Sequence, residues 1–264
     1  MATPERDLVA AIESTLHFYP PVPGLSADLG VPGVHGRITS VSHSLANLVG
    51  MAHLTDGNAD AVIARVRERY ASEGKAFGWV TGPSTTPADL SVRLVRAGMR
   101  RHDPPESGMA LTDLAVPIDA NPDVRIDEIA PAAAERHAEM MGRAYGMPTE
   151  VATFVVRLLA AKSPIRTRGY LAYLGGAEPV AWSYLVYIPG TRIVLLGGAA
   201  TLAEFRGRGI YTALVKRRLD DARADGNEAA VIQAGHLSAP VCAKIGFRTL
   251  CELVFHTWPP EADA

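Results

Sequence analysis

Two glycines and two arginines alternate in the second half of the chain. The run Arg206-Gly207-Arg208-Gly209 follows a continuous apolar segment rich in Ile, Val and Leu, which predicts a buried strand. Apolar residues at helical spacing come next, and Gly226 can end that helix. The first amides of a helix lack partners within it and carry the positive end of its dipole, and glycine lets a bulky anion approach. The run therefore predicts a phosphate-binding turn, with a plain turn as the alternative.

Two nucleotide-binding motifs do not fit this turn. A nucleoside-triphosphate loop needs a lysine and a hydroxyl residue after its second glycine, whereas Ile210 and Tyr211 follow Gly209. A dinucleotide fingerprint needs a third glycine three residues after Gly209, where the chain has Thr212. Neither motif therefore describes the turn.

The segment from Arg206 to Tyr211 resembles the pyrophosphate loop of the GNAT superfamily of N-acetyltransferases, whose pattern is Gln or Arg, two residues, Gly, one residue, and Gly or Ala. Tyr211 departs from the pattern by replacing the final small residue. Further on, Lys244-Ile245-Gly246-Phe247 is similar to the Lys-Leu-Gly-Phe segment of that family. The resemblance covers about residues 123–258 and implies an α/β fold (α+β, with a mixed sheet) that contains an acyl-CoA-binding strand-turn-helix.

The resemblance also implies acetyl-CoA as the acyl donor and no metal ion. The donor would lie between the central strand and the next one, which splay apart there, and a backbone N–H of the central strand would polarise the thioester carbonyl. Strand residues would bind the pantetheine and turn residues the pyrophosphate: Gly198, Ala199, Ala200, Arg206, Gly207, Arg208, Gly209, Ile210 and Tyr211.

The acceptor amine must lose a proton, because an alkylamine with a pKa of about 10.4 is almost fully protonated at neutral pH. The tyrosine that many GNAT members use as an acid aligns with Cys242, and their usual asparagine at the end of the preceding strand aligns with Gly235. His236 is therefore the candidate base, and Cys242 is the candidate proton donor to the departing thiolate. A surface or capping histidine and a buried structural cysteine are the alternatives.

Two helices are expected to face the acceptor, because GNAT members use the two helices after the first strand of the domain in this way. The corresponding helices are predicted at 131–145 and 150–161. Their apolar residues either line an acceptor pocket or form an ordinary core stripe: Met140, Met141, Tyr145, Met147 and Phe154.

The first half of the chain looks like a degenerate copy of the same fold, which predicts domains at 1–118 and 119–264. A helix, a strand, a second helix and then Gly98-Met99 parallel the order that ends in Gly246-Phe247. The turn that would bind the anion is acidic in this copy, and its carboxylates repel a pyrophosphate. The first domain is therefore expected to be a scaffold or to form one side of the substrate cleft.

Alternating helices and strands are predicted to position these residues. Helices are predicted through Leu8 to Leu16, at 60–72, 87–97, 131–145 and 150–161, after Gly209 and from Ser238. Strands are predicted at 44–54, 76–81, 109–114, 124–129, 170–174 and 179–187, after Arg192 and at 228–234, with Gly175-Gly176 as a hairpin turn. The Pro- and Gly-rich segment from Pro20 to Thr39 is expected to be a loop.

Composition narrows the range of partners. The 264-residue chain is 48% hydrophobic, which allows a sizeable core, and its net charge of −2 gives no electrostatic footprint for DNA or RNA. The sequence contains neither a membrane-length apolar run nor a signal-peptide pattern at its start. Cys242 and Cys251 are too few for a disulfide framework, so a cytoplasmic location is expected. The expected partner is a small-molecule amine; a homodimer is compatible with the sequence, which does not fix the number of chains.

Three functions stay open at the level of the sequence. The first is an acetyltransferase that moves an acetyl group from acetyl-CoA to an amine of a small molecule or an amino-acid-like acceptor. The second is a CoA-binding sensor or structural protein that lost the chemistry, which the replaced tyrosine and asparagine motivate. The third is an acetyltransferase of a protein lysine or N-terminus.

Overall fold

The computed structural model describes residues 3–161 and 165–259 of the chain. The strands are β1 (Ser26–Asp28), β2 (His35–Thr39), β3 (Leu48–Gly50), β4 (Phe77–Thr81), β5 (Arg100–Arg101), β6 (Glu106–Leu111), β7 (Val124–Ile129), β8 (Thr167–Leu174), β9 (Ala181–Tyr187), β10 (Ile193–Thr201), β11 (Ala229–Ala234) and β12 (Arg248–Trp258). The helices are α1 (Glu5–Ser14), α2 (Ala59–Ala71), α3 (Leu90–Arg96), α4 (Pro131–Ala134), α5 (Ala138–Tyr145), α6 (Thr149–Ala160), α7 (Ile210–Ala224) and α8 (Ala239–Ile245).

The chain folds into two compact units, each assembled from two separate segments. Unit 1 contains Met1–Ile12 and Met109–Leu250, and unit 2 contains Glu13–Gly108 and Cys251–Ala264. These units differ from the continuous domains expected at 1–118 and 119–264. The difference arises because the second half of β12 pairs with β4 inside unit 2, while the end of β6 lies beside β11 inside unit 1.

Unit 1 is a mixed sheet with helices on both faces. Its strands follow the order β6-β11-β10-β9-β8-β7, in which β10 and β11 run parallel and the strands from β7 to β10 are antiparallel. Tyr170 points to α7, since its hydroxyl donates to Asp221 at 2.8 Å. Trp182 pairs with Leu171, the next residue of β8, and its ring lies near Tyr145 of α5. Because neighbouring residues of a strand point to opposite faces, α5 and α7 cover opposite sides of the sheet.

Helix α7 supplies the crossover that the parallel pair β10 and β11 requires. The apolar side predicted from its sequence faces the sheet, with Leu214, Val215, Leu219 and Ala222 buried and Tyr211 half-buried. Arg218 lies on the same side and is also completely buried, which the sequence spacing did not predict. A cation therefore lies inside the core of unit 1.

Unit 2 repeats part of this arrangement. Its strands follow the order β1-β2-β3-β4-β12, and β5 pairs with β12. β3 and β4 are parallel and are connected by α2, as β10 and β11 are connected by α7. Gly98 after α3 and Gly246 after α8 both have positive φ, at 87° and 117°. The internal copy indicated by the sequence is therefore present as a second strand-helix-strand crossover.

The acidic turn before α2 is ion-paired with one arginine. Arg93 of α3 forms ion pairs with Asp56, Asp60 and Asp89, at 3.0, 3.3 and 2.9 Å. The carboxylates of this turn therefore already have a cationic partner within unit 2. The turn before α7 instead carries arginines.

Two predicted segments of unit 2 differ from the structure. The strand expected at 44–54 is reduced to β3, and the expected loop contains β1 and β2. The guanidinium of Arg37 donates to the carbonyls of Leu45 and Ala46 at 3.2 and 2.8 Å, which fixes these residues in a turn. The expected loop contains strands because β2 pairs with β3, and the Pro- and Gly-rich sequence of this segment does not indicate that pairing.

The predicted elements of unit 1 are confirmed more closely. The strand at 124–129, the hairpin of β8 and β9, the strand β10, and the helices α6, α7 and α8 lie at their predicted places within a few residues. The helix expected at 131–145 is divided, because a 3-10 turn at Glu135–His137 separates α4 from α5.

A buried histidine makes the stability of unit 2 depend on pH. Nδ1 of His256 lies 3.2 Å from the carbonyl oxygen of Trp79 and Nε2 lies 2.9 Å from the Ser91 hydroxyl. Burial lowers the pKa of His256 from 6.5 to about 4. As the pH falls from 6.5 towards 4, the unfolded chain binds a proton that the folded chain does not, so folding stability falls in this window.

We predict that His256→Gln reduces this loss of stability on acidification, because glutamine can both donate and accept but does not titrate. Urea denaturation at about pH 7 and about pH 5 measures the difference for parent and variant. His53→Gln, a change at an exposed histidine of unit 2, is the matched control and should keep the parent's pH dependence. An unchanged acid loss in His256→Gln would contradict the assignment.

Candidate functional site

A crevice forms where the parallel strands of unit 1 separate. β10 and β11 pair only from Ile193 to Leu195 and from Ala229 to Val231. Beyond these residues β10 continues to Thr201 and β11 to Ala234, with no further pairing between these described strands. The gap opens at the carboxyl ends of the strands, which is where ligands bind in open α/β sheets.

The turn before α7 has the conformation that an anion site needs. Gly207 and Gly209 have φ of 74° and 76°, and Gly209 is the N-cap residue immediately before α7. In this part of the described chain, no side chain caps the helix. A Cβ on Gly207 would meet no atom within 4 Å, so the space beside the turn is free. The structure thus brings Gly207, Gly209, Ile210 and Tyr211 together at an uncapped helix start.

Two side chains hold this turn in place. Arg206 donates to the carbonyls of Thr201 and Ala144, at 3.1 and 3.3 Å, and so attaches the turn to the ends of β10 and α5. Asn121 donates to the carbonyl of Arg208 at 2.9 Å, and its Cβ lies 3.1 Å from where a Cβ on Gly209 would be. Arg206 was predicted as a pyrophosphate contact and here braces the turn with its side chain. Asn121 was not predicted, since it lies 87 residues from its partner.

A β-bulge interrupts β10 beside the crevice. The pairing with β9 shifts between Gly197 and Ala200, and Gly198 has φ of 39°. A Cβ on either Gly197 or Gly198 would collide with the ring of Tyr184. In a regular strand these two glycines would point to opposite faces, so their shared neighbour shows how the bulge turns the chain. The predicted pantetheine contacts Gly198, Ala199 and Ala200 therefore lie in or next to the bulge.

Arg218 supports the bulge from the side of α7. Its Nη1 donates to the carbonyls of Gly197 and Tyr184 at 3.2 and 3.4 Å, and its Nε donates to Leu214 of its own helix at 3.0 Å. Nη2 has no hydrogen-bond partner among the described residues. Burial lowers the pKa of Arg218, yet an arginine stays protonated in proteins. A positive charge therefore lies directly behind the bulge.

The two candidate catalytic residues lie near the start of α8. His236 is exposed in the turn between β11 and α8, at the end of the crevice. Cys242 is completely buried, and its Sγ lies 3.3 Å from the hydroxyl of Tyr211 on α7. This contact joins the two helices that follow the two diverging strands. Burial raises the pKa of the Tyr211 hydroxyl and the Cys242 thiol, so both carry their proton at neutral pH.

The expected acceptor residues divide into two groups. Met141 lines a cavity between the helices α4 to α6 and the strands β8 and β9, and Phe154 is buried in the core. Tyr145 is 45% exposed, while Met140 and Met147 pack partly buried against the core. The cavity lining is mostly apolar, and Trp182 and Tyr184 of β9 also contribute to it. The cavity therefore borders the same tyrosine that covers the bulge.

No group of three or more His, Cys, Asp or Glu side chains in residues 3–161 and 165–259 is arranged to hold a metal ion. No helix over the same ranges is long and apolar enough to cross a membrane.

No protein-family model and no curated protein matches the sequence. Among solved structures, the chain is similar to the GCN5-related N-acetyltransferase from Kribbella flavida, with 17% identity, a TM-score of 0.69 and coverage of 99% of this chain and 97% of that chain. It is also similar to a GCN5-related N-acetyltransferase from Sphaerobacter thermophilus and to a tandem GNAT protein from the clavulanic acid biosynthesis pathway. Their identities are 14% and 15%, and each has a TM-score of 0.60 with coverage of 88% of this chain and 79% of the other.

At such identities the likeness concerns the fold. It spans nearly the whole chain, and one of the similar structures is itself a tandem protein. The crossover that occurs once in unit 1 and once in unit 2 agrees with that arrangement. The chain therefore has the fold of the GNAT superfamily of N-acetyltransferases, in a tandem arrangement.

Proposed function

We propose that the chain is an N-acetyltransferase that moves the acetyl group of acetyl-CoA to an amine of a small molecule or amino-acid-like acceptor by direct attack on the thioester. The observation that carries the proposal is the uncapped start of α7, preceded by two left-handed glycines, at the open end of two diverging strands. The GNAT fold of the similar structures supports acyl transfer as the class of reaction. The acceptor would be a small molecule, and the proposed location is the cytoplasm.

The donor would bind mainly through backbone groups. Its pyrophosphate would accept hydrogen bonds from amides between Arg206 and Tyr211, and its pantetheine would lie along Gly198 to Ala200 in the crevice. A charge-assisted hydrogen bond contributes about 1.5–3 kcal/mol. Micromolar affinity corresponds to about 8 kcal/mol, so three or four such bonds would supply a large part of it before association costs of several kcal/mol are subtracted.

The reaction would need a donor to the thioester oxygen, a base for the amine and an acid for the departing thiolate. A backbone N–H of the bulge would stabilise the negative charge that develops on the thioester oxygen. His236, exposed after β11, would take the proton of the amine. Cys242 has no exposed surface, so a proton that it gives to the departing thiolate would pass through the Tyr211 hydroxyl that it contacts.

We predict that Gly209→Glu weakens acetyl-CoA affinity at least about 100-fold, because a carboxylate at the helix start repels the pyrophosphate and covers the amides. Isothermal calorimetry measures the affinity. Gly226→Glu is the matched control, since Gly226 also has positive φ, at 80°, and has open space at the other end of α7. Both variants introduce the same charge and a backbone strain of about 1–2 kcal/mol. They differ in the position of the charge and in the contact with Asn121 that a side chain at position 209 makes.

Unchanged affinity in Gly209→Glu would refute the site at this helix start. Gly207→Glu is a second variant that adds the same charge to the turn without the contact with Asn121, because a Cβ at position 207 meets no atom within 4 Å. It should also weaken acetyl-CoA binding. Acetyl-CoA binding without CoA release for any amine of a broad library would favour the sensor function over the enzyme.

We also predict that His236→Ala lowers kcat by about 10- to 100-fold, within the range of general-base effects, while the affinity for acetyl-CoA changes little. The rate is measured as CoA release across about pH 6–9 for parent and variant. His53→Ala serves as the control for loss of an exposed histidine in unit 2. Equal rates of His236→Ala and parent over this range would remove His236 from the mechanism.

A further inference from the structure

Arg218 is a buried cation without a negative partner. It is 0% exposed, and no carboxylate of the described residues lies within ion-pair distance of it. A buried charge costs several kcal/mol unless it is paired, and even a buried ion pair can often be replaced by apolar residues without loss of stability. Core packing alone therefore does not account for an arginine at this position.

The ionisable neighbours of Arg218 do not compensate its charge. The groups that interact with it include the Tyr211 hydroxyl, the Cys242 thiol and the Tyr170 hydroxyl. Burial raises the pKa of each of these groups, so each is neutral at physiological pH. The guanidinium instead binds only backbone carbonyls, and one of its nitrogens has no partner among the described residues. The positive charge of Arg218 is thus not balanced by a negative charge among the described residues that surround it.

The contact of Arg218 with Gly197 connects its charge to the bulge. Nη1 donates to the carbonyl oxygen of Gly197 at 3.2 Å, and this carbonyl belongs to the same peptide unit as the N–H of Gly198. In a planar trans peptide the C=O and N–H point in opposite directions, so the Gly198 N–H points away from Arg218. A cation on the carbonyl withdraws electron density from the peptide and makes its N–H a stronger donor, because successive hydrogen bonds polarise one another.

We infer that Arg218 is a positioning residue of the transfer reaction, which acts through the Gly197–Gly198 peptide to strengthen the Gly198 N–H as a donor to the thioester carbonyl oxygen. This inference rests on the proposed function. In the reaction the amine nitrogen attacks the thioester carbon, and the carbonyl oxygen takes up the electron pair of the π bond. When that pair returns, the carbon–sulfur bond breaks, CoA leaves as a thiolate, and the proton of the amine passes to a base.

The stabilisation that the Gly198 N–H gives to the thioester oxygen should increase as the reaction proceeds. The negative charge on the thioester oxygen is small in bound acetyl-CoA and large in the tetrahedral intermediate. A stronger N–H donor therefore stabilises the transition state more than the ground state, and its loss lowers kcat with little effect on binding. Loss of one oxyanion donor typically reduces kcat by about 100- to 1,000-fold.

The test compares Arg218→Met with Arg217→Met. Arg217 is the next residue of α7, and it also donates to a backbone carbonyl, that of Ile126 at 3.2 Å, and pairs with Asp221 at 3.0 Å. Both variants remove one positive charge and a backbone-carbonyl contact from the same helix, and only Arg218 contacts the bulge. We expect Arg218→Met, which weakens this donor without removing it, to lower kcat by about 2- to 10-fold and to change the Kd for acetyl-CoA less than about twofold. Arg217→Met should keep the parent's kcat.

Infrared spectroscopy of bound acetyl-CoA, labelled with carbon-13 at the carbonyl, reads the polarisation directly. In the parent and in Arg217→Met the carbonyl stretch should lie below that of free acetyl-CoA, and in Arg218→Met it should return towards the free value. A role of Arg218 confined to the stability of the fold would not move this frequency in bound ligand. Thermal unfolding of each variant without ligand establishes that it is folded. If Arg218→Met does not fold, Arg218→Lys keeps a cation without the planar fork and should show an intermediate frequency.

Two results would overturn the inference and leave the proposed function standing. One is a parent that binds and turns over acetyl-CoA with an unshifted carbonyl stretch. The other is an Arg218→Met or Arg218→Lys variant whose carbonyl stretch equals that of the parent. A parent that does not bind acetyl-CoA in calorimetry would overturn both the proposed function and this inference.

Discussion

Unit 1 depends on a parallel strand pair that is only half formed. β10 and β11 are paired up to Leu195 and Val231, and both then continue without each other. β10 stays attached to β9 along its other edge, so the opening is one-sided. The helices α7 and α8 follow the two diverging ends, and Tyr211 of α7 contacts Cys242 of α8. Helix starts, strand edge and turn thus converge at one place because the pairing stops early.

The two units show how one backbone arrangement can carry different electrostatics. Each has a parallel pair joined by a crossover helix. In unit 2 the helix α2 fills its inner side with Ile63, Val66 and Tyr70, and the turn before it is acidic and tied to Arg93. In unit 1 the helix α7 buries a cation, and the turn before it carries arginines and glycines. The backbone of unit 2 is therefore preserved without the electrostatics that attract an anion.

The strand, turn and helix around Gly207 and Gly209 could be predicted from the sequence because the signals are local. Apolar runs, helical spacing and glycine pairs each describe a few neighbouring residues. The role of Arg218 could not be predicted, since an arginine on a helix usually points to solvent and its bulge partners lie 21 and 34 residues away. The role of Asn121 could not be predicted either, because its partner Arg208 lies 87 residues away. The strand expected at 44–54 is shorter than predicted because Arg37, which lies 8 and 9 residues before Leu45 and Ala46, binds their carbonyls, a side-chain contact that apolar spacing does not signal.

The contact between Tyr184 and the glycines of the bulge has an evolutionary consequence. The aromatic ring occupies the volume in which a side chain at position 197 or 198 would have to lie. A single substitution at either glycine is therefore blocked for as long as the tyrosine remains. Related sequences should change these three positions together or not at all, and a family in which they drift independently must build this part of the strand in another way.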